Sequence, residues 1–310
     1  MTGEHCMHAD NRVLAVMVTY YPDDGLQERV AALLDQVDEL LIVDNTPEST
    51  EPLRKLAGAD EVMGKLTIRT MGSNAGVAAA LNIGVTEATR RKFGLLLTLD
   101  QDSNLPPFAV ERMRAILASA PDVAVACPLF FERFSGRRSY IPVKKGWLRP
   151  QRIKPNSGHY DVYSAITSGS LYKTLIFDLV GGFANEYFVD SVDTEFSLRI
   201  IRKKFRIVVA SDVDMSHSFG NRAFVNRLGV SIATANYPPI RHYYQARNRV
   251  FLYKKYGLRF PLYVLYDLSV GARNLMRMLL AERGKKEKLA MMARGFADGL
   301  RGRGGPYARP

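Results

Sequence analysis

Two carboxylates stand immediately after an apolar run near the middle of the chain. Asp100 and Asp102 flank Gln101 and follow Leu95–Leu99, a run of strand length. Acids at positions i and i+2 on a turn can face one hard cation, and Mg²⁺ is typically bound by one or two carboxylates together with phosphate oxygens. An apolar strand that ends in paired acids has no folding rationale, so the pattern predicts a metal–diphosphate site rather than a surface turn.

A second acidic cluster stands at the start of a predicted helix. Asp190, Asp193 and Glu195 lie in a segment whose other residues are largely apolar. The helix dipole stabilises negative charge at this end, and N-capping would explain one of the three acids. A carboxylate in a partly desolvated cleft can accept the proton of a sugar hydroxyl, which makes a general base the functional interpretation.

Other polar residues at predicted loops and helices could also bind a ligand. Asn74 and Gly76 lie in a loop before a predicted helix, and Arg247 and Asn248 lie on a helix near the end of the chain. An arginine there can clamp a phosphate or pair with an acid of the core. His217 follows a predicted strand, where a lone histidine is more often structural than a metal ligand.

Alternating strand and helix patterns position these residues. The predicted strands are Val13–Thr19, Leu40–Val43, Leu66–Arg69, Leu95–Leu99 and Val123–Cys127, with a last strand at Arg206–Ala210. Short, continuously apolar strands that alternate with helices are typical of a parallel sheet covered on both faces. Ligands of such sheets bind beyond the carboxyl ends of the strands, where Asp44 and Asn45 also stand. Gly84, in the helix after Gly76, is predicted to serve close packing of that helix on the sheet.

The positive charge is concentrated at the end of the chain. The residues from position 241 onward account for the whole net charge of +12, with 16 Lys and Arg against 4 Asp and Glu. Three long helices are predicted there, at 241–256, 261–280 and 287–300. Asp267, Arg273 and Arg277 interrupt the middle one and argue against a transmembrane span. Two interpretations stay open: an amphipathic segment lying on anionic lipid, or a helical hairpin packed on the preceding domain.

The chain is thus expected to have three parts, a polar tail at 1–12, an α/β domain at 13–236 and a basic helical segment at 237–310. The first twelve residues lack an apolar stretch, and the two cysteines form no zinc or disulfide pattern, so a reducing cytoplasm is expected. The basic stretch within 130–163 is either a lid or a solvated surface. The acidic edge of the sheet argues against a nucleic-acid binder. A nucleotidyltransferase would need a Gly-rich basic loop after the first strand, which is absent from this sequence.

Together these motifs resemble those of the family 2 glycosyltransferases, and more narrowly the bacterial O-antigen and rhamnolipid rhamnosyltransferases. The matching motifs are Thr19-Tyr20-x-Pro22, Val43-Asp44-Asn45, Asn74-x-Gly76 with Asn82-x-Gly84, Leu99-Asp100-Gln101-Asp102, Phe188-Val189-Asp190 with Asp193 and Glu195, Tyr244-x-x-Arg247-Asn248, and the terminal stretch Asp298–Gly305. The resemblance runs from about Val13 to Gly305. It implies a GT-A fold, Rossmann-like with a mostly parallel sheet and a C-terminal helical appendage, and an inverting single displacement.

The resemblance also implies a role for each matching residue. The donor contacts would be Thr19, Tyr20, Asp44, Asn74, Gly76, Asn82, Asp100 and Gln101, with Asp44 accepting from the N3–H of the nucleobase. Asp102 would hold Mg²⁺ or Mn²⁺ against the diphosphate, with His217 as a further metal contact. Asp193 would be the general base, and Asp190, Glu195, Arg247 and Asn248 would contact the sugar or the acceptor.

Donor and acceptor are expected from the resemblance alone. The donor would be dTDP-L-rhamnose, with UDP-glucose or UDP-galactose as the alternative. The acceptor would be a glycolipid or a lipid-linked saccharide such as lipopolysaccharide core, reached from the cytoplasmic face of a membrane to which the protein binds peripherally. The alternative of another class is a non-catalytic protein that binds the membrane surface, which would leave the acids at the strand ends without a purpose.

Overall fold

The computed structural model describes residues 10–58, 64–132, 158–217, 223–227 and 230–308, together with the short strands at 137–138, 141–142 and 150–151. The strands are β1 (Val13–Thr19), β2 (Glu39–Asp44), β3 (Leu66–Thr70), β4 (Leu95–Asp100), β5 (Val123–Glu132), β6 (Arg137–Arg138), β7 (Ile141–Pro142), β8 (Pro150–Gln151), β9 (His159–Asp161), β10 (Ser170–Lys173), β11 (Arg206–His217), β12 (Ala223–Arg227) and β13 (Val230–Thr234). The helices are α1 (Leu26–Leu34), α2 (Glu51–Ala57), α3 (Val77–Arg90), α4 (Ala109–Ser119), α5 (Leu175–Val180), α6 (Val192–Arg202), α7 (Pro239–Tyr256), α8 (Pro261–Ala281) and α9 (Lys285–Arg301).

A nine-stranded mixed sheet forms the centre of the fold. Its order is β3-β2-β1-β4-β10-β5-β11-β9, and β6 pairs with β5. The pairs β3-β2, β2-β1, β1-β4 and β5-β11 are parallel. The carboxyl ends of β1, β2 and β4 therefore meet at one edge, as expected for an α/β sheet whose ligands bind there.

The hydrophobic core lies on both faces of this sheet. Along β1, Val13, Ala15 and Met17 pack with α1, α2 and α4 on one face. The alternate residues of the strand, beginning with Leu14, pack with α3, α5 and α6 on the other. The alternation follows from the two-residue period of a strand, and burial on both faces explains why the sequence of the strand is continuously apolar.

Gly84 lets α3 approach β1 closely. A Cβ atom added at this glycine would lie 2.6 Å from the Cβ of Val16. Contacts this short do not occur between packed side chains, so the helix would have to move away from the strand. The prediction that Gly84 serves packing rather than ligand binding is confirmed.

The sheet is mostly parallel, as expected, with one antiparallel strand at its centre. β10 lies between β4 and β5 and is antiparallel to both. Ser170–Lys173 was not predicted as a strand, because four residues are too few for periodicity to identify. Helix α2 was also not predicted.

The prediction that the last strand ends at Ala210 is wrong. β11 continues to His217 through a register shift at 210–214, and β12 and β13 form an antiparallel pair after it. Two β-branched runs around Leu228-Gly229 were the available sequence signal. The basic stretch within 130–163, expected to be either a lid or a solvated surface, falls largely outside the described residues, although β5 extends to Glu132 and β9 pairs with β11.

The three predicted C-terminal helices are confirmed as α7, α8 and α9. Helix α9 packs along α7, and α8 contacts β12 and β13. Gly295 and Gly299 allow α9 to lie against α7, since a Cβ at Gly295 would lie 2.2 Å from the carbonyl oxygen of Tyr243. None of the helices in the described part of the chain is long and apolar enough to cross a membrane.

Candidate active site

A cleft of about 750 Å³ opens at the edge where β1, β2 and β4 end. The residues that line it come from those strand ends, from the loop before α3, from the segment before α6, from the start of α7 and from the end of the chain. They are Val18, Thr19, Tyr20, Asn45, Asn74, Gly76, Val77, Asp100, Gln101, Asp102, Phe188, Val189, Tyr237, Pro238, Ile240, Arg241, Tyr244, Pro306 and Tyr307. The C-terminal segment therefore completes the cleft rather than standing apart from it.

Asp100 and Asp102 give the cleft its acidic floor. Burial, followed by the charges of Asp102 and Asp193, raises the pKa of Asp100 to about 7. The backbone N–H of Asp100 donates to the hydroxyl of Ser168 at 2.9 Å, which fixes the end of the strand. A carboxylate whose pKa is raised by burial and by neighbouring acids is stabilised in its charged form by a cation placed beside it.

Gln101 joins the ends of β4 and β1. The N–H of Tyr20 donates to its Oε1 at 2.7 Å, and its Nε2 donates to the carbonyl oxygen of Tyr20 at 3.1 Å. The residue between the two acids thus fixes the loop after β1 beside them.

Asp44 lies beneath the part of the cleft lined by Thr19 and Asn45, and it is completely buried. The hydroxyls of Thr19 and Thr46 both donate to its Oδ1 at 2.7 Å. Its Oδ2 is buried and has no hydrogen-bond partner among the described residues. A buried acceptor without a donor is costly, so this oxygen is suited to a donor supplied by a ligand.

Asn74 and Gly76 shape the loop before α3. The N–H of Gly76 donates to the side chain of Asn74 at 3.0 Å, and Gly76 has a φ of +87°. A Cβ at Gly76 would lie 2.6 Å from the ring of Phe188, so only glycine allows the loop and the segment before α6 to meet.

Asn82 does not line the cleft. Its side chain accepts from the N–H of Phe183 at 2.7 Å and donates to the carbonyl oxygen of Phe183 and the side chain of Asn185, both at 2.8 Å. Its placement does not match a direct donor contact, because its amide is already used to hold the 183–185 segment on α3.

Residues 188–191, which follow the 183–185 segment along the chain, have an uncommon backbone conformation. Phe188, Asp190 and Ser191 all have φ values near +61°, in the region that non-glycine residues rarely adopt. Such conformations persist only where the surroundings hold them, at about 1 kcal/mol or more per residue. Hydrogen bonds from α7 provide that support.

Asn248 supplies most of these hydrogen bonds. Its Nδ2 lies 3.0, 2.8 and 2.7 Å from the carbonyl oxygens of Tyr187, Val189 and Asp190, and its Oδ1 accepts from Nε of Arg247 at 3.0 Å. The residue is fully buried. Its amide is saturated by backbone, which does not match the expected contact with an acceptor.

Arg247 is equally buried and holds the same segment. Its Nη2 donates to the carbonyl oxygens of Glu186 and Tyr187 at 3.0 Å, and its Nη1 donates to that of Gly305 at 2.5 Å. The guanidinium also lies over the ring of Tyr244, 4.9 Å from its centroid. Its placement therefore does not match the expected acceptor contact either, and its role is to position the walls of the cleft.

The terminal glycines bring the end of the chain to the same place. The N–H of Gly305 donates to the carbonyl oxygen of Glu186 at 2.9 Å, and a Cβ at Gly304 would lie 2.6 Å from the Cβ of Glu186. Asp298 accepts from the hydroxyl of Tyr243 at 2.9 Å. The terminal motif of the sequence thus closes the cleft and carries Tyr307 into its wall.

Asp190 pairs with Arg241, a residue that lines the cleft and that was not predicted from the sequence. Nε of Arg241 lies 3.3 and 3.1 Å from the two carboxylate oxygens of Asp190, and Nη2 lies 3.1 Å from Oδ1. The guanidinium stacks 4.2 Å from the ring centroid of Tyr237. Arg241 is the one basic side chain among the described residues that line the cleft.

Asp193 lies at the first turn of α6, next to the cleft but not among its lining residues. Burial raises its pKa to about 6, although its Oδ1 accepts from the N–H of Thr194 at 2.7 Å. Its charge contributes to the raised pKa of Asp100. Asp193 is thus close enough to Asp100 for its charge to act on that carboxyl.

Glu195 lies away from the cleft and is completely buried. It accepts from Arg199 at 2.7 Å, from Lys255 at 2.9 Å and from the hydroxyl of Tyr256 at 2.7 Å. Burial alone would raise its pKa, but the two cations and the hydroxyl hold the pKa below its usual value. Its placement does not match a sugar contact; it joins α6 to α7.

The described residues hold no group of three or more His, Cys, Asp or Glu side chains placed to bind a metal by themselves. A metal in this cleft would therefore rely on Asp100 and Asp102 together with ligand oxygens, which agrees with the preference of Mg²⁺ for few carboxylates and several phosphate oxygens. The backbone of His217 ends β11, and its side chain lies outside the described residues.

The chain is similar to known glycosyltransferases along most of its length. A relative from Shigella flexneri, "dTDP-rhamnosyl transferase RfbF", is 28% identical over 302 residues, which cover 94% of this chain and 97% of the relative. The solved mannosyltransferase PcManGT from Pyrobaculum calidifontis, in complex with GDP-Man and Mn²⁺, superposes with a TM-score of 0.58 at 17% identity. That match covers 94% of this chain and 81% of the other.

The structure of GalNAc-T7 with UDP, GalNAc and Mn²⁺ matches with a TM-score of 0.56 at 11% identity, over 95% of this chain and 56% of that one. These likenesses agree with the α/β GT-A fold that the sequence motifs implied. The model of glycosyl transferase family 2 matches residues 15–180, which is more than half of the chain. The chain therefore belongs to glycosyl transferase family 2, and it is a glycosyltransferase.

Proposed function

We propose that this enzyme transfers L-rhamnose from dTDP-L-rhamnose to a hydroxyl of a glycolipid or lipid-linked saccharide, with inversion at the anomeric carbon and with Mg²⁺ or Mn²⁺ as cofactor. The observation that supports this reaction most strongly is that Asp100 and Asp102 line a cleft at the edge of the sheet. The name of the Shigella flexneri relative, aligned over nearly both full lengths, favours dTDP-rhamnose over UDP-glucose or UDP-galactose.

The buried Asp44 is suited to the nucleobase. Thymine carries one donor on its pairing edge, the N3–H, and Asp44 has one carboxylate oxygen without a partner among the described residues. Thr19, Tyr20 and Asn45 line the adjoining wall of the cleft. Because uracil carries the same donor, this contact selects a pyrimidine and leaves the choice between dTDP and UDP to other contacts.

Asp102 and Arg241 would hold the diphosphate between them. A bound Mg²⁺ or Mn²⁺ supplies Lewis-acid stabilisation of the charge that develops on the departing diphosphate. Asp102 is the proposed carboxylate ligand, Asp100 faces the ribose and the sugar, and Arg241 contacts phosphate oxygens by the fork geometry of its guanidinium. The proposal keeps Asn74 and Gly76 next to the sugar-nucleotide, and His217 as a further metal contact.

Asp193 is the proposed general base. It would take the proton of the acceptor hydroxyl while the acceptor oxygen bonds to the anomeric carbon and the bond from that carbon to the diphosphate oxygen breaks on the opposite face. A carboxylate whose pKa is raised towards neutrality is a stronger base than an exposed one and remains ionised at pH 7. Asp190, paired with Arg241, is the proposed contact with a sugar hydroxyl.

The exposed face of α8 is the proposed contact with an anionic membrane surface. Exposed apolar side chains recur along it at helical spacing, at Leu262, Leu265, Leu268, Met276 and Leu280. Arg273 and Arg277 lie on the same helix, and Arg283, Lys285 and Lys286 follow it. An apolar stripe next to cations is typical of helices that lie in the interface of anionic lipid.

Donor use tests the proposed reaction directly. Hydrolysis of dTDP-rhamnose, UDP-glucose, UDP-galactose and GDP-mannose should be measured side by side, with and without EDTA. We expect dTDP-rhamnose to be hydrolysed fastest and EDTA to abolish the reaction. Faster use of another donor would overturn the rhamnosyl assignment, and full activity in EDTA would overturn the metal.

The base is tested by Asp193→Asn. We expect transfer to fall by about 10²–10⁴-fold, the usual contribution of a general base, with dTDP affinity little changed. In the wild type, kcat/KM should fall as the pH drops below about 6, because protonated Asp193 cannot accept a proton.

The residual transfer by Asp193→Asn should lack this acidic limb. Asp178→Asn, on α5 and outside the cleft, is the matched control and should behave as the wild type. Normal turnover by Asp193→Asn would remove Asp193 from the mechanism.

The membrane contact is tested by sedimentation with lipid vesicles. The wild type should sediment with vesicles that contain phosphatidylglycerol and less with phosphatidylcholine vesicles. The variant Leu265→Glu with Leu268→Glu should stay in solution while its donor hydrolysis is unchanged. Equal sedimentation of the variant and the wild type would contradict the assignment of α8.

A further inference from the structure

A second cavity adjoins the donor cleft on the side of α9. It has a volume of about 810 Å³ and is lined by Pro239, Ile240, Tyr244, Glu287, Ala290, Met291, Arg294 and Tyr307. Ile240, Tyr244 and Tyr307 also line the donor cleft, so the two cavities share a wall. We call the second cavity the α9 groove.

The lining of the α9 groove is mainly apolar. Ile240 and Met291 pack on a small cluster formed by Phe188, Tyr243 and Tyr244. The groove thus presents aliphatic and aromatic surface, while Glu287 and Arg294 supply its charged side chains. Sites of this size and composition bind the apolar part of a ligand and orient it by a few polar groups at the edge.

The shared wall is rigidly built. The rings of Phe188 and Tyr244 stack with centroids 5.1 Å apart, and those of Tyr243 and Tyr307 meet edge-on at 4.7 Å. The N–H of Tyr307 donates to the hydroxyl of Tyr244 at 2.8 Å, and Arg294 donates to the hydroxyl of Tyr307 at 2.9 Å. Arg294 is therefore fixed at the rim between the groove and the cleft.

Under the proposed function, the donor would fill the part of the cleft above the strand ends. The α9 groove adjoins the cleft at Ile240, Tyr244 and Tyr307. A ligand that spans both would carry a polar, hydroxyl-bearing head at the cleft and an apolar chain in the groove.

We infer that the α9 groove is a binding site for the aliphatic chain of an amphiphilic acceptor, whose hydroxyl-bearing head lies at the shared wall facing the donor. This inference rests on the proposed function for the reaction itself, whereas the affinity of the groove for an alkyl chain does not depend on which donor is used. It makes Met291 and Ala290, which line the groove but not the donor cleft, determinants of acceptor specificity, and places Ile240 on the wall that the two sites share.

Binding of two probes tests the groove. Methyl and n-octyl β-D-glucopyranoside carry the same head, and their affinities can be measured by titration calorimetry below the micelle concentration of the octyl compound. We expect the octyl glucoside to bind at least about 20-fold more tightly to the wild type, the gain from burying two to three methylene groups.

Two tryptophan variants of exposed alanines on α9 supply the control. Ala290→Trp fills the groove and should remove the preference for the octyl chain, whereas Ala293→Trp, outside the groove, should retain it. The affinity of both variants for dTDP should equal that of the wild type, which also verifies that they fold.

Three results would overturn the inference. The first is equal affinity of the two glucosides for the wild type, and the second is an equal loss of the octyl preference in both variants. The third is a wild-type protein that is dimeric in solution and becomes monomeric only with Ala290→Trp, which would assign the groove to a second copy of the chain. Failure of dTDP-rhamnose hydrolysis would instead count against the proposed function and would leave the chain-length preference unaffected.

Discussion

The walls of the donor cleft depend on the buried pair Arg247 and Asn248. Between them, these side chains donate to the carbonyl oxygens of residues 186, 187, 189, 190 and 305. Four of those carbonyls belong to the segment 186–191, whose backbone would not hold its conformation alone, because three of its residues have positive φ. Buried hydrogen bonds from these side chains to backbone carbonyls stabilise the segment. Removing one of the two side chains would leave several buried carbonyl oxygens without hydrogen-bond partners. This single interaction therefore sets where Phe188, Asp190 and the start of α6 lie.

The sheet supplies the other half of the site. Parallel strands that end at one edge bring Asp44, Asp100 and Asp102 to the floor of the cleft, and α6 brings Asp193 beside it. Burial raises the pKa of both Asp100 and Asp193, and the charges of neighbouring acids raise both further. In the proposed function, a cation and a diphosphate would offset the charge of Asp100 and Asp102, and Asp193 would accept the proton of the acceptor hydroxyl.

Much of this arrangement could be predicted from the sequence. The apolar runs gave the strands, and because the residues at their ends are fixed by the parallel topology, the acids of β4 and the aspartate of β2 were expected at the same edge. The burial of Gly84 and the three C-terminal helices followed from equally local patterns. Short or unpatterned elements were missed, as with β10, whose four residues pair antiparallel in the centre of the sheet.

The roles of individual polar residues could not be predicted in this way. Arg247, Asn248 and Glu195 have the residue types of ligand contacts, but long-range packing buries them and their hydrogen bonds go to the chain itself. Asn82 is half-buried and bonds to the 183–185 segment instead. Conversely, Arg241 lines the cleft with no sequence motif to mark it. The residue type determines which hydrogen bonds a side chain can make. Only the tertiary contacts determine whether those hydrogen bonds go to a ligand or to the backbone.

The most direct test of this account is amide hydrogen exchange in Asn248→Ala, with Gln245→Ala on the same helix as control, combined with kcat. The account predicts faster exchange confined to the segment 185–191, unchanged exchange in β1 and β4, and a kcat lowered by about tenfold or more, in keeping with the loss of about 1.4 kcal/mol of transition-state stabilisation. Wild-type exchange in that segment together with a wild-type kcat would contradict the claim that this buried pair builds the active site.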